Sequence, residues 1–164
     1  MNRQHTQLIE RIQESSKELL DYVARLPEAE LYRAPGGDEW SMHAILAHLR
    51  DTEEHVFLKR TQRILSEKEA PRVENFDQEK WNREHYSAQE PLKKILGDWR
   101  KARRKFVALL GKTPDKEWAH YAIHPEYGKI SIEWLATHNY SHTLEHLHQL
   151  LERRERDILK QLNG

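Results

Sequence analysis

The sequence of 164 residues contains no cysteine. Without a thiol side chain, the protein can form no disulfide, no thiolate metal site and no cysteine nucleophile. It also has no excess of charge of either sign, because its 27 basic and 27 acidic residues cancel. Tight nucleic-acid binding needs a basic surplus that neutralises phosphates. We therefore expect no nucleic-acid partner.

Long apolar runs are absent as well. No run approaches the length of a membrane span, and the first residues, MNRQHTQLIERI, lack the apolar core of a signal peptide. The sequence thus predicts a cytoplasmic protein with no membrane partner. Only six glycines and six prolines occur, and most of them fall between long periodic stretches. At this length a single domain over residues 1–164 is the simplest organisation.

Four long stretches repeat apolar residues at helical spacing. Their approximate bounds are 5–26, 41–66, 91–111, and from 130 or 131 to about 162. Ser41 has the side chain that an N-cap prefers, and Pro91 is tolerated in a first helical turn. The pattern predicts an all-α protein, a four-helix bundle. The long crossover is expected to hold a short helix over 77–85, and YAIHPEYGKIS at most a brief extended segment.

Histidine is abundant, with 11 residues, four of them in HNYSHTLEHLHQL. His138, His142 and His146 recur every four residues, which places them one turn apart on one side of a helix. Two imidazoles at this spacing can bind one ion, whereas the outer pair lies about 11 Å apart. One histidine of the three is therefore not a ligand, and a further ligand must come from elsewhere.

The angular position of each histidine around the helix shows which of them point into the bundle. With about 100° per residue, His142 and His146 each lie about 20° from Leu135 at the edge of the apolar face. His138 lies near the polar boundary, and His148 points to a different sector that suits the surface. The inward pair is His142 and His146.

The third ligand must then come from a facing helix. His48 lies on the inner stripe of the second helix, with His55 as the second choice and His43 nearer the helix start. An imidazole among apolar neighbours in a bundle needs a partner or a metal. A hydrogen bond across the core, without any ion, remains the alternative.

Three neutral imidazoles leave at least one coordination position of a divalent ion free for water or substrate, as in catalytic sites. The ion could lower the pKa of water or of a thiol and so supply a nucleophile. Imidazole suits zinc, nickel, copper and iron alike. Asp51, Glu145 and Gln149 are candidates for hydrogen bonds that orient the ligands. Each could equally be an ordinary solvated helix residue.

The walls of a substrate pocket are harder to identify. We expect them near the start of the last helix, from Trp134, Tyr140, Tyr121 and the HPEYG loop. Ordinary aromatic packing is the alternative for each of these side chains.

Three motifs in sequence order resemble one known family. They are EWSMHAILAHLRDTEEHV, PRVENFDQEKWNREH, and HPEYG followed by SHTLEHLHQL. Together they resemble the DinB-like superfamily of bacterial four-helix proteins, over about residues 8–153. The resemblance implies an up-down-down-up bundle that binds a divalent metal, often nickel or zinc. By position, the ligands it implies are His48, His142 and His146.

The resemblance also has functional implications. Trp40 and Ser41 match a helix-start signature that we interpret as structural, and Gln149 matches a polar position beside the site. The superfamily includes transferases of low-molecular-weight thiols such as bacillithiol or mycothiol, a mycothiol-dependent maleylpyruvate isomerase, and members without a known reaction. Since their thiol arrives as a cosubstrate, the lack of cysteine is no objection.

Two classes of function follow as expectations. The first is a metal-dependent enzyme that transfers a low-molecular-weight thiol to an electrophilic small molecule, with hydrolysis on the same site as the alternative reaction. The second is a non-catalytic bundle that binds metal, or a dimeric interaction module, since homodimers are common in the superfamily. A shared fold does not decide between them, because function belongs to the site.

Overall fold

Helices form where the apolar spacing predicts them. A computed structural model describes residues 1–164 as a four-helix bundle with shorter elements between its long helices. The helices are α1 (Arg3–Val23), α2 (Glu28–Tyr32), α3 (Met42–Thr52), a π-helical segment (Glu53–Leu58), α4 (Lys59–Ser66), α5 (Gln78–His85), α6 (Leu92–Lys112), a 3₁₀ turn (Asp115–Glu117) and α7 (Ile132–Asn163). The predicted four-helix bundle is confirmed. None of these helices combines the length and the apolarity that a membrane span requires.

The helix starts follow from capping side chains. The Ser41 hydroxyl accepts a hydrogen bond from the Ala44 amide at 3.1 Å, so the predicted N-cap of α3 is confirmed. Ser131 caps α7 in the same way through the Trp134 amide, at 3.1 Å. These oxygens satisfy backbone donors that a first helical turn leaves free.

One extended element is better formed than the sequence predicts. Strands β1 (Tyr121–His124) and β2 (Gly128–Ser131) pair antiparallel as a small hairpin before α7. Gly128 adopts a φ of 70°, which favours glycine, and His124 Nδ1 accepts hydrogen bonds from two amides of the turn. With four residues each, the strands are too short for a clear alternation of apolar residues.

The direction of α6 follows from its contacts with the preceding helical stretch. His43, near the start of α3, contacts the Glu90 carbonyl just before α6, with 2.9 Å to its Nε2. Ten residues later, Glu53 pairs with Arg103 on α6 at 2.7 Å. The two stretches therefore run in the same direction, which the crossover that contains α5 makes possible.

The last helix, α7, runs antiparallel to α3. Glu53 accepts a hydrogen bond from Asn139 early in α7, whereas the Trp40 carbonyl before α3 accepts one from Arg153 late in α7. The ring of His5, at the start of α1, stacks on Trp118 in the segment that leads into α7. The starts of α1 and α7 therefore lie at the same end of the bundle. These contacts give the up-down-down-up order of directions.

The core consists of two apolar clusters, one toward each end of the bundle. One includes Ile12, Phe57, Phe106, Trp118 and Leu135, and the other includes Leu19, Met42, Ile45, Trp99 and Leu150. Between them lies a buried polar layer. Arg103 on α6 donates to Ser16 on α1 at 2.8 Å, to Glu53 at 2.7 Å and to Thr143 on α7 at 2.9 Å.

We expect Arg103→Met to lower the free energy of unfolding by about 3–5 kcal/mol, because it leaves the Glu53 carboxylate buried without its cation. Adding Glu53→Leu should recover part of the loss, since an apolar pair removes the unpaired charge. Denaturant unfolding measures both, with the exposed Lys105→Met as a control expected within about 0.5 kcal/mol of wild type. A loss below about 1 kcal/mol for Arg103→Met would contradict the role of the pair.

Candidate metal site

The three predicted ligand histidines meet between α3 and α7. His48 comes from α3, and His142 and His146 are one turn apart on α7. The Nε2 atom of His142 lies 3.2 Å from that of His48 and 3.1 Å from that of His146. One nitrogen from each ring lies within 4.8 Å of the others. The antiparallel packing of α3 on α7 therefore gathers side chains that are far apart in the sequence.

The protonation pattern at His146 favours a cation in this position. Its Nδ1 lies 2.8 Å from Gln149 Oε1, an amide oxygen that can only accept a hydrogen bond. In a neutral ring the single proton is then on Nδ1, and Nε2 presents a lone pair toward His142. Gln149 thus fixes the tautomer of His146 that metal binding requires.

The distances also suit one shared ion. Imidazole nitrogens lie about 2.0–2.1 Å from zinc, so neighbouring ligand nitrogens in tetrahedral or octahedral geometry are about 2.9–3.4 Å apart. The two short separations, 3.2 and 3.1 Å, fall in this range. Hydrogen bonds alone account for them poorly, because the one proton that His142 Nε2 can carry cannot serve both neighbours. The residues therefore fit a divalent transition-metal ion.

Burial keeps these rings neutral. Burial, together with a smaller repulsion from neighbouring imidazoles, lowers the pKa of His48 to about 3 and the pKa of His142 to about 2. Burial also lowers the pKa of His146, although the hydrogen bond to Gln149 opposes the shift. Neutral imidazole is the form that binds metal, so the site is ready for an ion near neutral pH.

A cleft of about 210 Å³ leads from solvent to His146. Its walls are mostly polar and charged: Asp38, Glu39, Trp40, Ile45, Gln78, Glu79, Gln149, Arg153 and Arg156. Trp40 packs its ring edge-on to His48, with 5.5 Å between ring centroids. Charges of both signs line the approach, which suits a small polar molecule better than an apolar one.

The sequence-based prediction of the pocket walls misses this cleft. Trp134 stacks on His138 instead, with 4.7 Å between ring centroids, and Tyr121 lines a separate cleft. The reason is distance along α7, since His146 lies about 18 Å beyond Trp134 in a straight helix. Trp40, which we interpret from sequence as structural, is a wall residue. Its position beside the N-cap of the His48 helix is the signal that could have identified it.

Two of the three residues expected to orient the ligands lie elsewhere. Asp51 accepts hydrogen bonds from Trp81 Nε1 at 3.0 Å and from Arg50 Nε at 2.8 Å, and makes none to His48. Glu145 is exposed and forms no hydrogen bond with the three histidines. Of these three residues, only Gln149 forms a hydrogen bond with one of the histidines, because a spacing of three residues on an α-helix brings it beside His146.

The other histidines of these helices have separate partners. His43 contacts the Tyr86 hydroxyl at 3.0 Å, and His55 packs against Trp81, with 4.6 Å between ring centroids. His138 is exposed, and its ring centroid lies 6.1 Å from that of His142. His148 is exposed beside Glu152, as its angular position predicts.

Comparisons with known proteins agree with this architecture. The family model of the DinB superfamily matches residues 11–150. YfiT from Bacillus subtilis, described as "a probable metal-dependent hydrolase with an unusual four-helix bundle topology", superposes with a TM-score of 0.84 at 19% identity, over 95% of this chain and 89% of YfiT. TT2238, described as a four-helix bundle protein, gives a TM-score of 0.66 at 17% identity, over 90% of this chain and 98% of TT2238. No curated protein matches the sequence significantly.

The lowered pKa values predict how stability depends on pH in metal-free protein. Unfolded histidine titrates near its ordinary pKa of about 6.5. The folded rings stay neutral to lower pH, so the unfolded state binds more protons below pH 6.5. Stability is therefore full above that pH and falls on acidification toward the folded pKa values, about 3 for His48 and about 2 for His142.

Between pH 6 and pH 5 the free energy of unfolding should fall in both proteins. We expect the fall to be about 1 kcal/mol smaller in His142→Gln than in wild type, since the variant has one fewer buried imidazole. Denaturant unfolding in the presence of a chelator measures the difference. The exposed His148→Gln serves as the matched control and should follow wild type. Equal losses in His142→Gln and wild type would contradict the burial of a neutral ring.

Proposed function

The chain belongs to the DinB superfamily, and from this membership and the three-histidine geometry we propose that it is a metal-dependent enzyme. The observation that carries the proposal is the convergence of three neutral imidazoles, with separations of 3.1 and 3.2 Å, at the end of a cleft. His48, His142 and His146 hold the ion, for which nickel and zinc are our first choices.

The protein's own side chains define what the site can do. Three ligands leave at least one coordination position open, and a divalent ion so bound supplies Lewis acidity that lowers the pKa of water or of a thiol. Gln149 holds the ring of His146 in its metal-binding tautomer. Trp40 limits the movement of His48. The charged walls of the cleft bind and orient a polar small-molecule substrate.

Hydrolysis is the reaction that we place first. The description of YfiT as a probable metal-dependent hydrolase supports it, because this fold matches YfiT over nearly its whole length. Transfer of a low-molecular-weight thiol to an electrophile, the reaction expected first from the sequence, is the second candidate. The resemblance of the motifs to a superfamily that includes thiol transferases supports it, and the same ligands would serve both reactions.

A non-catalytic metal-binding bundle, or a dimeric interaction module, is the alternative from a different class. A purely structural site is normally closed, with four protein ligands. Here three imidazoles converge, and a cleft reaches His146. This arrangement supports the enzyme over the structural alternative.

We expect untagged protein to contain about one equivalent of a transition metal per chain, and His142→Ala to contain none, because two imidazoles bind an ion weakly. Gln149→Ala should retain the ligands but lose about 10–100-fold in metal affinity. Elemental analysis and competition with a chromogenic chelator measure both effects. His148→Ala is the control on the same helix. Undiminished metal content in His142→Ala would refute the site.

The two reactions can be separated with protein loaded with nickel or zinc. A panel of esters and amides tests hydrolysis, and an electrophilic aromatic chloride offered with small thiols tests thiol transfer. We expect ester or amide turnover without any added thiol, and its loss in His146→Ala. Turnover only with a thiol would favour the second candidate. A metal-loaded protein inactive in both assays would favour the non-catalytic alternative.

A further inference from the structure

A second cleft lies between α1 and α6, on the face of the bundle opposite the three histidines. Its volume is about 550 Å³, within the range of about 300–1,000 Å³ that is usual for small-molecule sites. Most of the surface it offers is apolar, with Leu20, Trp99, Val107 and Ala108 among its lining residues. The cleft is larger than the one beside His146 and shares no lining residue with it.

Positive charge surrounds this apolar surface. Lys17, Arg100 and Arg104 line the cleft, and no carboxylate lies within 4.0 Å of any of their charged nitrogens. The buried Arg103 lines it as well, and Asp21 is the one acidic lining residue. The protein has no net charge, so this excess of cations is confined to the surroundings of the cleft. The cationic lining is complementary to an anion.

Two buried donors beside the cleft lack acceptors. Trp99 is 1% exposed and Arg103 5% exposed, and both line the cleft. Neither Trp99 Nε1 nor Arg103 Nε has a hydrogen-bond partner in the protein. Both atoms are covered by protein, so the acceptor group of a ligand in the cleft would lie among the exposed cations and not against these two donors.

We propose that the cleft between α1 and α6 binds a small amphipathic carboxylate, whose apolar body lies on the Trp99 side and whose anionic group lies among Arg100, Arg104 and Lys17. A bare inorganic anion would leave the apolar surface exposed, and a neutral apolar molecule would leave the cations without a partner. The ligand we infer is a free small molecule, because an open cleft of this volume accommodates a single chain or ring. This site is distinct from the metal site and does not depend on its proposed reaction.

Isothermal titration calorimetry with decanoate tests the proposal on the full chain. We expect saturable binding at one site per chain, and no comparable binding of nonyltrimethylammonium, which has the same nine-carbon tail and the opposite charge. The double variant Arg100→Gln and Arg104→Gln should bind decanoate about tenfold more weakly, since it removes two attractive charges. Ala108→Glu, at an exposed helical position, should weaken binding further because it adds a carboxylate to the cleft.

The matched control is Lys101→Gln with Lys105→Gln, which removes two exposed cations of α6 outside the cleft. It should bind decanoate as wild type does, and circular dichroism should show equal helix content in all variants. Equal weakening in both double variants would show that only the overall charge of the protein matters, and it would overturn the proposal. Equal binding of decanoate and of the cationic amphiphile would overturn it as well. Binding to phosphatidylglycerol vesicles without binding of decanoate would overturn it in favour of a lipid surface.

Discussion

The relative position of the four long helices depends on one buried guanidinium. Arg103 on α6 reaches Ser16 on α1, Glu53 at the start of the π-helical segment and Thr143 on α7. Burying an ion pair costs several kcal/mol of desolvation for each ion, so the pair is tolerable only where further hydrogen bonds surround it. Apolar side chains tolerate small shifts between helices, whereas these directional bonds do not. The layer therefore fixes the register at which α3 and α7 meet.

That register is what the three histidines require. Thr143 follows His142 directly in sequence, and Glu53 begins the π-helical segment five residues after His48. Segments of this kind often occur at functional sites, where an extra residue in the turn redirects side chains. The imidazoles themselves oppose compact packing, because burial removes their solvation and their protonated forms repel one another. The rings do not attract one another, so the directional hydrogen bonds of the polar layer are what hold them close together.

Much of this arrangement is readable from sequence, and the remainder depends on tertiary contacts. Helical spacing alone selects His142 and His146, since both lie on one face of a single helix. The choice of His48 needs the family resemblance, because periodicity cannot say which facing histidine lies at the same height. Asp51 is an example of what the sequence cannot predict. It lies one turn from His48, yet its carboxylate accepts a hydrogen bond from Trp81 on α5 instead. Only the packing of the crossover determines that contact, as it determines the walls of the cleft.

Arg103 also connects the two faces of the molecule. Its terminal nitrogens bond to groups close to the three histidines, while its side chain lines the cleft between α1 and α6. A carboxylate in that cleft would add negative charge on the other side of the same guanidinium and weaken its hold on Glu53. Because Glu53 also accepts a hydrogen bond from Asn139, one turn before Thr143 on α7, the change would reach the helix that carries His142 and His146. Coupling between the faces therefore requires no movement of the apolar clusters, only a redistribution of hydrogen bonds around one residue.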